Sequence, residues 1–376
     1  MLNTIHLFID LTDVTKNMGI KKQISRDNSY CLTIKYINTE YNSRLFIFLN
    51  NLQTQSSEKG GYLRSREPPP GVGCLESIAE VSKVEMFAQS LVNGVMGSMI
   101  LVLIASGLCL IFGIMDIVNF AHGEFYMLGG FGAWLFFSEN VIPAIMPDVL
   151  RYVLAVLLSM VLVAALGIVV ERFILRRFYG NLQTVIIVSF GLMLILQAGA
   201  LSIFGSSDKA FASPFTGFLS FGTISVSGER LAAIICGCIF IVLLYFFILR
   251  SKFGMAMRAV SQDSEAAQVQ GINTNLIFSL CMGIGCALAA AGGALVGPIF
   301  YVNAYMGVEP IMKAFVVVIL GGMGSLPGAV LGGFIIGMTE SLVTTYMGAH
   351  LSNLIVFLLL IGVLLIKPTG IMGHET

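Results

Sequence analysis

Long uncharged stretches alternate with short polar ones along most of this sequence. The first covers residues 86–115 and contains no Asp, Glu, Lys or Arg. A helix needs roughly 20 apolar residues to cross the hydrocarbon core of a bilayer, so this stretch is long enough to span one. Seven further runs have the same character, at 125–138, 152–170, 178–207, 231–249, 266–308, 314–339 and 341–366. The pattern predicts an all-α, polytopic bundle of about eight or nine transmembrane segments.

Glycine-rich polar stretches interrupt the apolar pattern at two places. The first runs from Gly113 to Glu124 and ends in NFAHGE, and the second is GGMGSLPG at residues 321–328. A helix can break inside a membrane only where protein or water satisfies the freed backbone groups. Paired interruptions of this kind are typical of a translocation pathway. We therefore expect broken or re-entrant segments beside a solute pathway.

The polar residues of the first interruption allow two interpretations. Asn119 and His122 are three residues apart, so on a continuous helix they would share one face and line or brace the pathway. Alternatively, Glu124 only caps a helix N-terminus, where its charge suits the helix dipole, and His122 is a hydrogen-bonded structural residue. In both interpretations these residues shape a turn near the cavity.

Charge is distributed very unevenly along the chain. Only 11% of the residues are charged, against about 25% in soluble domains. Residues 1–85 nevertheless hold 10 of the 21 Lys and Arg residues and 9 of the 21 Asp and Glu residues. We expect residues 1–85 to be a poorly ordered extension, or the product of a start site assigned upstream of Met86. Residues 86–373 would then form the membrane domain.

Short basic segments predict the orientation in the membrane. Residues 171–177 and 250–258 follow the third and fifth apolar runs, and Lys367 follows the last. Because basic loops stay in the cytoplasm, all three should be cytoplasmic. Simple alternation then places Met86 outside, unless the interruption after residue 113 changes the parity.

Several chemical functions are excluded. The net charge of zero argues against a nucleic-acid partner, which requires a basic surface. The sequence contains no phosphate-binding Gly-x-x-x-x-Gly-Lys-[Ser/Thr] loop, no His-Glu-x-x-His zinc pattern and no Gly-x-Ser-x-Gly elbow. The seven cysteines fall mostly in apolar runs, where cysteine acts as a small hydrophobe. We therefore predict no catalytic residue, no metal site and no cofactor.

The polar segment 250–274 is much longer than a simple connection between helices, which takes about 2–8 residues. Phe253, Met257 and Val260 share one face of a possible amphipathic helix, with polar residues on another face. A solvated loop would leave this length unexplained. The pattern predicts a docking element that presents a helix to a cytoplasmic partner.

Three long motifs resemble the high-affinity branched-chain amino acid permease family. They are GLCLIFGIMDIVNFAHGEFYMLGG, GMAMRAV and ILGGMGSLPGA, which begin at residues 107, 254 and 319. In addition, Glu265-Ala-Ala267 followed by Gly271 resembles the coupling loop of ABC importer permeases. The similarity extends over about residues 86–373. Family members usually begin near the position of Met86, so residues 1–85 depart from the family.

The resemblance implies a multi-pass subunit of the bacterial inner membrane that is not itself an enzyme. A periplasmic binding protein would deliver Leu, Ile or Val, two homologous permease subunits would form the pathway, and two cytoplasmic ATPases would supply the energy. The residues implied in ATPase coupling are Arg258, Asp263, Glu265, Ala266, Ala267 and Gly271. The pathway residues are Asn119, His122, Gly123 and Glu124 by the motif, with Gly321, Gly322 and Gly324 from the second interruption.

Two other functions stay open at this point. Permeases for urea or short-chain amides share the Asn-x-Ala-His-Gly-Glu core, although Phe120 and the flank 125–127 are more similar to the amino acid branch. A secondary transporter or channel that works without ATP is the other alternative. The long docking segment argues against it, and an uptake measurement without ATP separates the two classes.

Overall fold

The computed structural model describes residues 72–138, 141–142, 146–221 and 224–373. Within these residues, seven helices are long and apolar enough to cross a membrane. The all-α, polytopic bundle predicted from the apolar runs is thereby confirmed. Residues 1–71 lie outside the described residues. The two predictions for residues 1–85, a poorly ordered extension or a start site assigned upstream of Met86, therefore concern mostly residues that are not described.

The described chain consists of eleven α-helices and one short hairpin. In chain order the helices are α1 Val72–Met115, α2 His122–Ser138, α3 Asp148–Phe173, α4 Leu182–Phe204, α5 Gly228–Arg250, α6 Lys252–Gln262, α7 Ser264–Val269, α8 Thr274–Val296, α9 Val308–Gly321, α10 Leu326–Met347 and α11 Ala349–Ile366. A 3₁₀ turn at Leu175–Phe178 follows α3. Strands β1 Phe218–Phe221 and β2 Ile224–Ser227 pair antiparallel, with Phe218 opposite Ser227.

Both predicted interruptions are breaks between helices. The first helix α1 ends at Met115, and Asp116 adopts a left-handed conformation with φ of 51°, as residues after a helix C-terminus often do. The second break separates α9 from α10, where the side chain of Ser325 accepts a hydrogen bond from the Gly328 N–H. The polar and glycine residues of each stretch thus end one helix and start the next.

Besides α6 and α7 of the polar segment, two apolar helices are too short to be full spans. Helix α2 has 17 residues and α9 has 14, so at 1.5 Å per residue they are about 26 Å and 21 Å long. The chain turns back before α2, as the contact of the His122 ring with the Ile104 carbonyl shows, because Ile104 lies inside α1 well before its end at Met115. With the seven spans, these two segments account for the eight or nine that the sequence predicts.

Small residues let α8 lie at the centre of the bundle. A Cβ added to Gly107 of α1 would lie 2.6 Å from the Gly285 oxygen, and one added to Gly129 of α2 would lie 2.3 Å from the Ala290 oxygen. Close backbone approach of this kind is the usual packing between membrane helices. The crowded glycines of α8 therefore serve packing.

The direction of α1 follows from its contacts with α8. Ile111 lies against Gly285, and Ile104 lies against Gly292, about two turns further along α8. The two helices are therefore antiparallel. The charge rule predicts a cytoplasmic basic segment before α8. Combined with this antiparallel packing, the same rule predicts that α1 runs inward from an outer Met86.

Candidate functional site

The N-termini of the two short helices meet inside the bundle at a pair of glycines. A Cβ added to Gly123 would lie 2.5 Å from the Gly307 oxygen, and a Cβ added to Gly307 would lie 2.2 Å from the Gly123 oxygen. No larger residue fits this backbone-to-backbone contact without a shift. Each helix also carries a carboxylate in its first turn, Glu124 in α2 and Glu309 in α9. Both charges suit the positive end of a helix dipole.

The buried polar residues of the first break support the turn before α2. Asn119 lies outside any helix, and its Oδ1 accepts a hydrogen bond from the Ala121 N–H at 3.1 Å. The ring Nε2 of His122 lies 3.2 Å from the Ile104 oxygen. The prediction that both residues share one helical face is wrong, because α2 begins only at His122. Each residue holds a different part of the turn instead.

Two buried polar atoms at this junction have no hydrogen-bond partner among the described residues. Because the Ile104 oxygen can only accept, His122 must donate from Nε2, and Nδ1 is left as an acceptor without a partner. Glu124 is 1% exposed, and its Oε2 also lacks a partner. Unpaired buried polar atoms are costly and call for a functional explanation.

The glycines of the second break form a tight turn that packs against the first break. Gly322 and Gly324 have φ angles of 101° and 82°, which favour glycine. A Cβ on Gly113 would lie 2.6 Å from the Gly324 Cα, so the two breaks touch at these glycines. Gly321 is buried, and its oxygen accepts from the Met372 N–H at 2.9 Å. These residues hold the turn with their backbones.

A charged cluster that the sequence analysis missed lies next to the junction. The ammonium of Lys313 on α9 lies 2.6 Å from a carboxylate oxygen of Glu309 and 2.6 Å from one of Glu340 on α10. Lys313 is almost buried, whereas the side chain of Glu309 is 64% exposed. The sequence carried a signal, since these single charges separate long apolar runs. In the sequence, Glu309, Lys313 and Glu340 indicate only the boundaries between apolar runs.

The exposed face of α9 combines this carboxylate with apolar side chains. Met312 is 45% exposed one turn from Glu309, and Phe315 follows on the same side. The ring of Phe120 packs against Phe315 at 4.7 Å between centroids and stacks on Phe190 at 4.3 Å. Inside a membrane, an exposed carboxylate requires water or protein beside it rather than lipid. This side of α9 is therefore unsuited to face lipid.

The segment predicted to dock a partner forms α6 and α7. Met257 and Val260 are buried against the bundle, whereas Phe253, which the sequence places on the same helical face, is 49% exposed. Arg258 donates from Nη1 to the Ile248 oxygen, which fastens α6 to the end of α5.

The second half of this segment is held by local hydrogen bonds and presents its other side to solvent. Asp263 caps α7 by accepting hydrogen bonds from the N–H groups of Glu265 and Ala266, both at 2.9 Å. Ala267 is the buried residue of α7, and Glu265 and Ala266 are exposed. Gly271 ends the segment with a φ of 84°. The side chain of Val269 is 88% exposed.

Among the described residues, no group of three or more His, Cys, Asp or Glu side chains could hold a metal ion. Five cysteines of the described part of the chain are free thiols: Cys109, Cys281 and Cys286, which are buried, and Cys236 and Cys238, which are not.

Comparison with known proteins gives a consistent result. LivH of Salmonella typhimurium, a high-affinity branched-chain amino acid transport system permease protein, is 34% identical over 77% of this chain and 96% of its own length. BraD of Pseudomonas aeruginosa, with the same description, is 34% identical over the same shares. A probable branched-chain amino acid transport permease of Methanocaldococcus jannaschii is 27% identical over 74% of this chain and 90% of its own length.

A solved structure, PsaBC from Streptococcus pneumoniae in complex with Fab, aligns with 71% of this chain and 89% of that chain, at 12% identity and a TM-score of 0.36. The model of the family described as branched-chain amino acid transport system / permease component matches residues 90–364. This multi-pass membrane protein therefore belongs to the family of permease components of branched-chain amino acid transport systems.

Proposed function

We propose that this chain is the inner-membrane permease subunit of an ABC importer that translocates leucine, isoleucine and valine. The observation that carries the proposal is the family match over residues 90–364, which covers nearly the whole membrane domain. Relatives such as LivH and BraD are named for high-affinity branched-chain amino acid transport and align over 96% of their length.

The chain would need partners for the energy and the delivery of substrate. It has no phosphate-binding loop of its own, so ATP hydrolysis would reside in two separate cytoplasmic subunits. These would dock on α6 and α7, where Glu265 and Val269 are exposed beside buried anchoring residues. A periplasmic binding protein would deliver the amino acid, and a second, homologous permease subunit would complete the pathway.

The pathway would run along the junction of α2 and α9 and the exposed face of α9. Asn119, His122, Gly123 and Glu124 would hold its shape, and Gly321, Gly322 and Gly324 would hold the second turn. A branched-chain amino acid carries an ammonium, a carboxylate and an aliphatic side chain. The Glu309 carboxylate suits the ammonium, and the aromatic group around Phe120 suits the aliphatic part.

Reconstitution tests this function directly. The chain is placed in proteoliposomes with its second permease, ATPase and binding-protein subunits, and uptake of labelled leucine is measured. We expect uptake that requires ATP and that isoleucine and valine, but not urea, inhibit. Inhibition by urea alone would assign the chain to the amide permeases. Uphill uptake without the ATPase subunits would contradict the proposal as a whole.

Charge reversal at Glu265 tests the docking role. Glu265 is exposed and fixed by the Asp263 cap, so Glu265→Arg should leave the bundle intact and oppose the partner surface. We expect leucine uptake to fall about tenfold, which corresponds to about 1.4 kcal/mol. The matched control is Asp208→Arg, since Asp208 is an exposed acid in the loop between α4 and β1 on the outer side. Full uptake and normal ATPase co-purification in Glu265→Arg would remove this residue from the docking surface.

A further inference from the structure

A fully buried carboxylate lies at the cytoplasmic end of α3. Glu171 is 0% exposed and accepts four hydrogen bonds. Two come from the Arg176 guanidinium, from Nε at 2.9 Å and Nη2 at 2.7 Å. The others come from the hydroxyl of Tyr179 at 2.9 Å and that of Ser279 at 2.7 Å. We call these four residues the Glu171 network.

The Glu171 network connects three separate elements. Glu171 belongs to α3, Arg176 to the 3₁₀ turn, and Ser279 to the first half of α8. Arg176 Nη2 also donates to the Asn275 oxygen at 3.0 Å, in the first turn of α8. The Tyr179 ring meets the Phe278 ring edge-on at 5.5 Å. The cytoplasmic ends of α3 and α8 are therefore joined by directional bonds.

Tyr179 is suited to remain a donor in this network. Burial raises the pKa of its hydroxyl, and the neighbouring charge of Glu171 raises that pKa further. The hydroxyl therefore stays protonated at neutral pH and can hold its bond to the carboxylate.

The helix that this network holds follows the docking segment directly. Only four residues, Gln270, Gly271, Ile272 and Asn273, separate α7 from α8. The Ile272 N–H donates to the Ala267 oxygen at 3.1 Å, and the Asn273 side chain caps α8 through the Leu276 N–H at 3.2 Å. A displacement of α7 is therefore transmitted to the first turn of α8 over a short and well-bonded connection.

Beyond the Glu171 network, α8 is held mainly by the packing of small residues. Its central part packs against α1, α2 and α3 through small residues, such as Gly285 against α1, Ala290 against α2 and Gly283 against α3. Packing of small residues is not directional in the way hydrogen bonds are, so it permits one helix to slide along another. A buried ion pair often adds little net stability compared with well-packed apolar residues. Its distinctive contribution is a fixed geometry between the elements that it joins.

We propose that Glu171 and Arg176 are positioning residues that make the cytoplasmic ends of α3 and α8 move as one unit. When a bound ATPase displaces α7, the motion reaches α8 directly and α3 through the Glu171 network. Without the network, α8 would move while α3 lags, and ATP would be hydrolysed with little transport. This inference rests on the proposed docking of an ATPase at α6 and α7.

The test compares transport with ATP hydrolysis in the reconstituted complex. The double variant Glu171→Met/Arg176→Met replaces the ion pair by flexible apolar side chains and leaves no buried charge unpaired, so it should fold and bind the ATPase. We expect a normal melting temperature and near-normal ATP hydrolysis, but at least a fivefold fall in leucine transported per ATP. The control is Arg177→Met, because Arg177 is the exposed neighbour in the same turn.

A network that serves only stability predicts a different result, namely that a stable double variant transports normally. A normal ratio of leucine to ATP in the double variant would overturn the proposal. If the double variant fails to fold, Glu171→Gln and Tyr179→Phe serve in its place, and normal ratios in both would overturn it equally. Failure of the unmodified chain to show ATP-driven uptake would instead refute the proposed function, so the two failures are distinguishable.

Discussion

Replacement of Gly307 by alanine is expected to abolish leucine uptake. The added Cβ would lie 2.2 Å from the Gly123 oxygen, which belongs to backbone and cannot rotate away. Helices α2 and α9 would have to separate at their N-termini, in the region that we assign to the pathway. Overpacking of this kind costs about 1–3 kcal/mol or more in a well-packed interior. Uptake assays combined with immunoblots of membrane fractions measure both consequences.

Gly199→Ala is the matched control for this substitution. Gly199 lies within α4, and a Cβ added there meets no atom within 4 Å. Because alanine is about 1 kcal/mol better than glycine inside a helix, the control should be at least as stable as the original chain. Gly123→Ala should reproduce the defect from the other side of the contact. Full uptake in both junction variants would show that the junction tolerates separation and would remove it from the pathway.

Replacement of Lys313 by methionine is expected to have the second largest effect. It would leave the carboxylates of Glu309 and Glu340 together without their shared cation. Removal of one partner costs about 3–5 kcal/mol in a buried ion pair and about 0–1 kcal/mol in an exposed one. We expect about 2 kcal/mol here, because Lys313 is almost buried whereas both carboxylates are partly exposed. Thermal unfolding of the purified protein in detergent measures the loss as a lower melting temperature.

Two comparisons separate stability from transport at this cluster. Lys367→Met is the control, since Lys367 is an exposed lysine after α11 whose ammonium donates to the Ile371 oxygen and contacts no carboxylate among the described residues. Glu309→Gln leaves Lys313 paired with Glu340, so it should keep the melting temperature and still reduce uptake if Glu309 faces the pathway. An unchanged melting temperature in Lys313→Met would contradict the role of the cluster in holding α9 to α10. Normal uptake in Glu309→Gln would place the pathway elsewhere.

The two short helices illustrate how far the pattern of the sequence reaches. Their positions were predictable because glycine and polar residues interrupt apolar runs at Gly113–Glu124 and at residues 321–328. The face shared by Asn119 and His122 was predicted wrongly, since a periodicity argument assumes a continuous helix, and the helix begins only at His122. The charged cluster was missed for a related reason. Glu309 and Lys313 show i,i+4 spacing, but their partner Glu340 lies 27 residues away on another helix.

The sequence by itself determined the class of the protein and the location of its breaks. Apolar runs of sufficient length have no alternative to helices in a bilayer, because every backbone group must be satisfied within its own segment. The tertiary structure alone decided which residues meet. It brings Gly123 to Gly307, Lys313 to Glu340, and Glu171 to Ser279, across gaps of tens to more than a hundred residues. These contacts depend on helix packing and register, which arise from the fit of whole surfaces rather than from any local pattern.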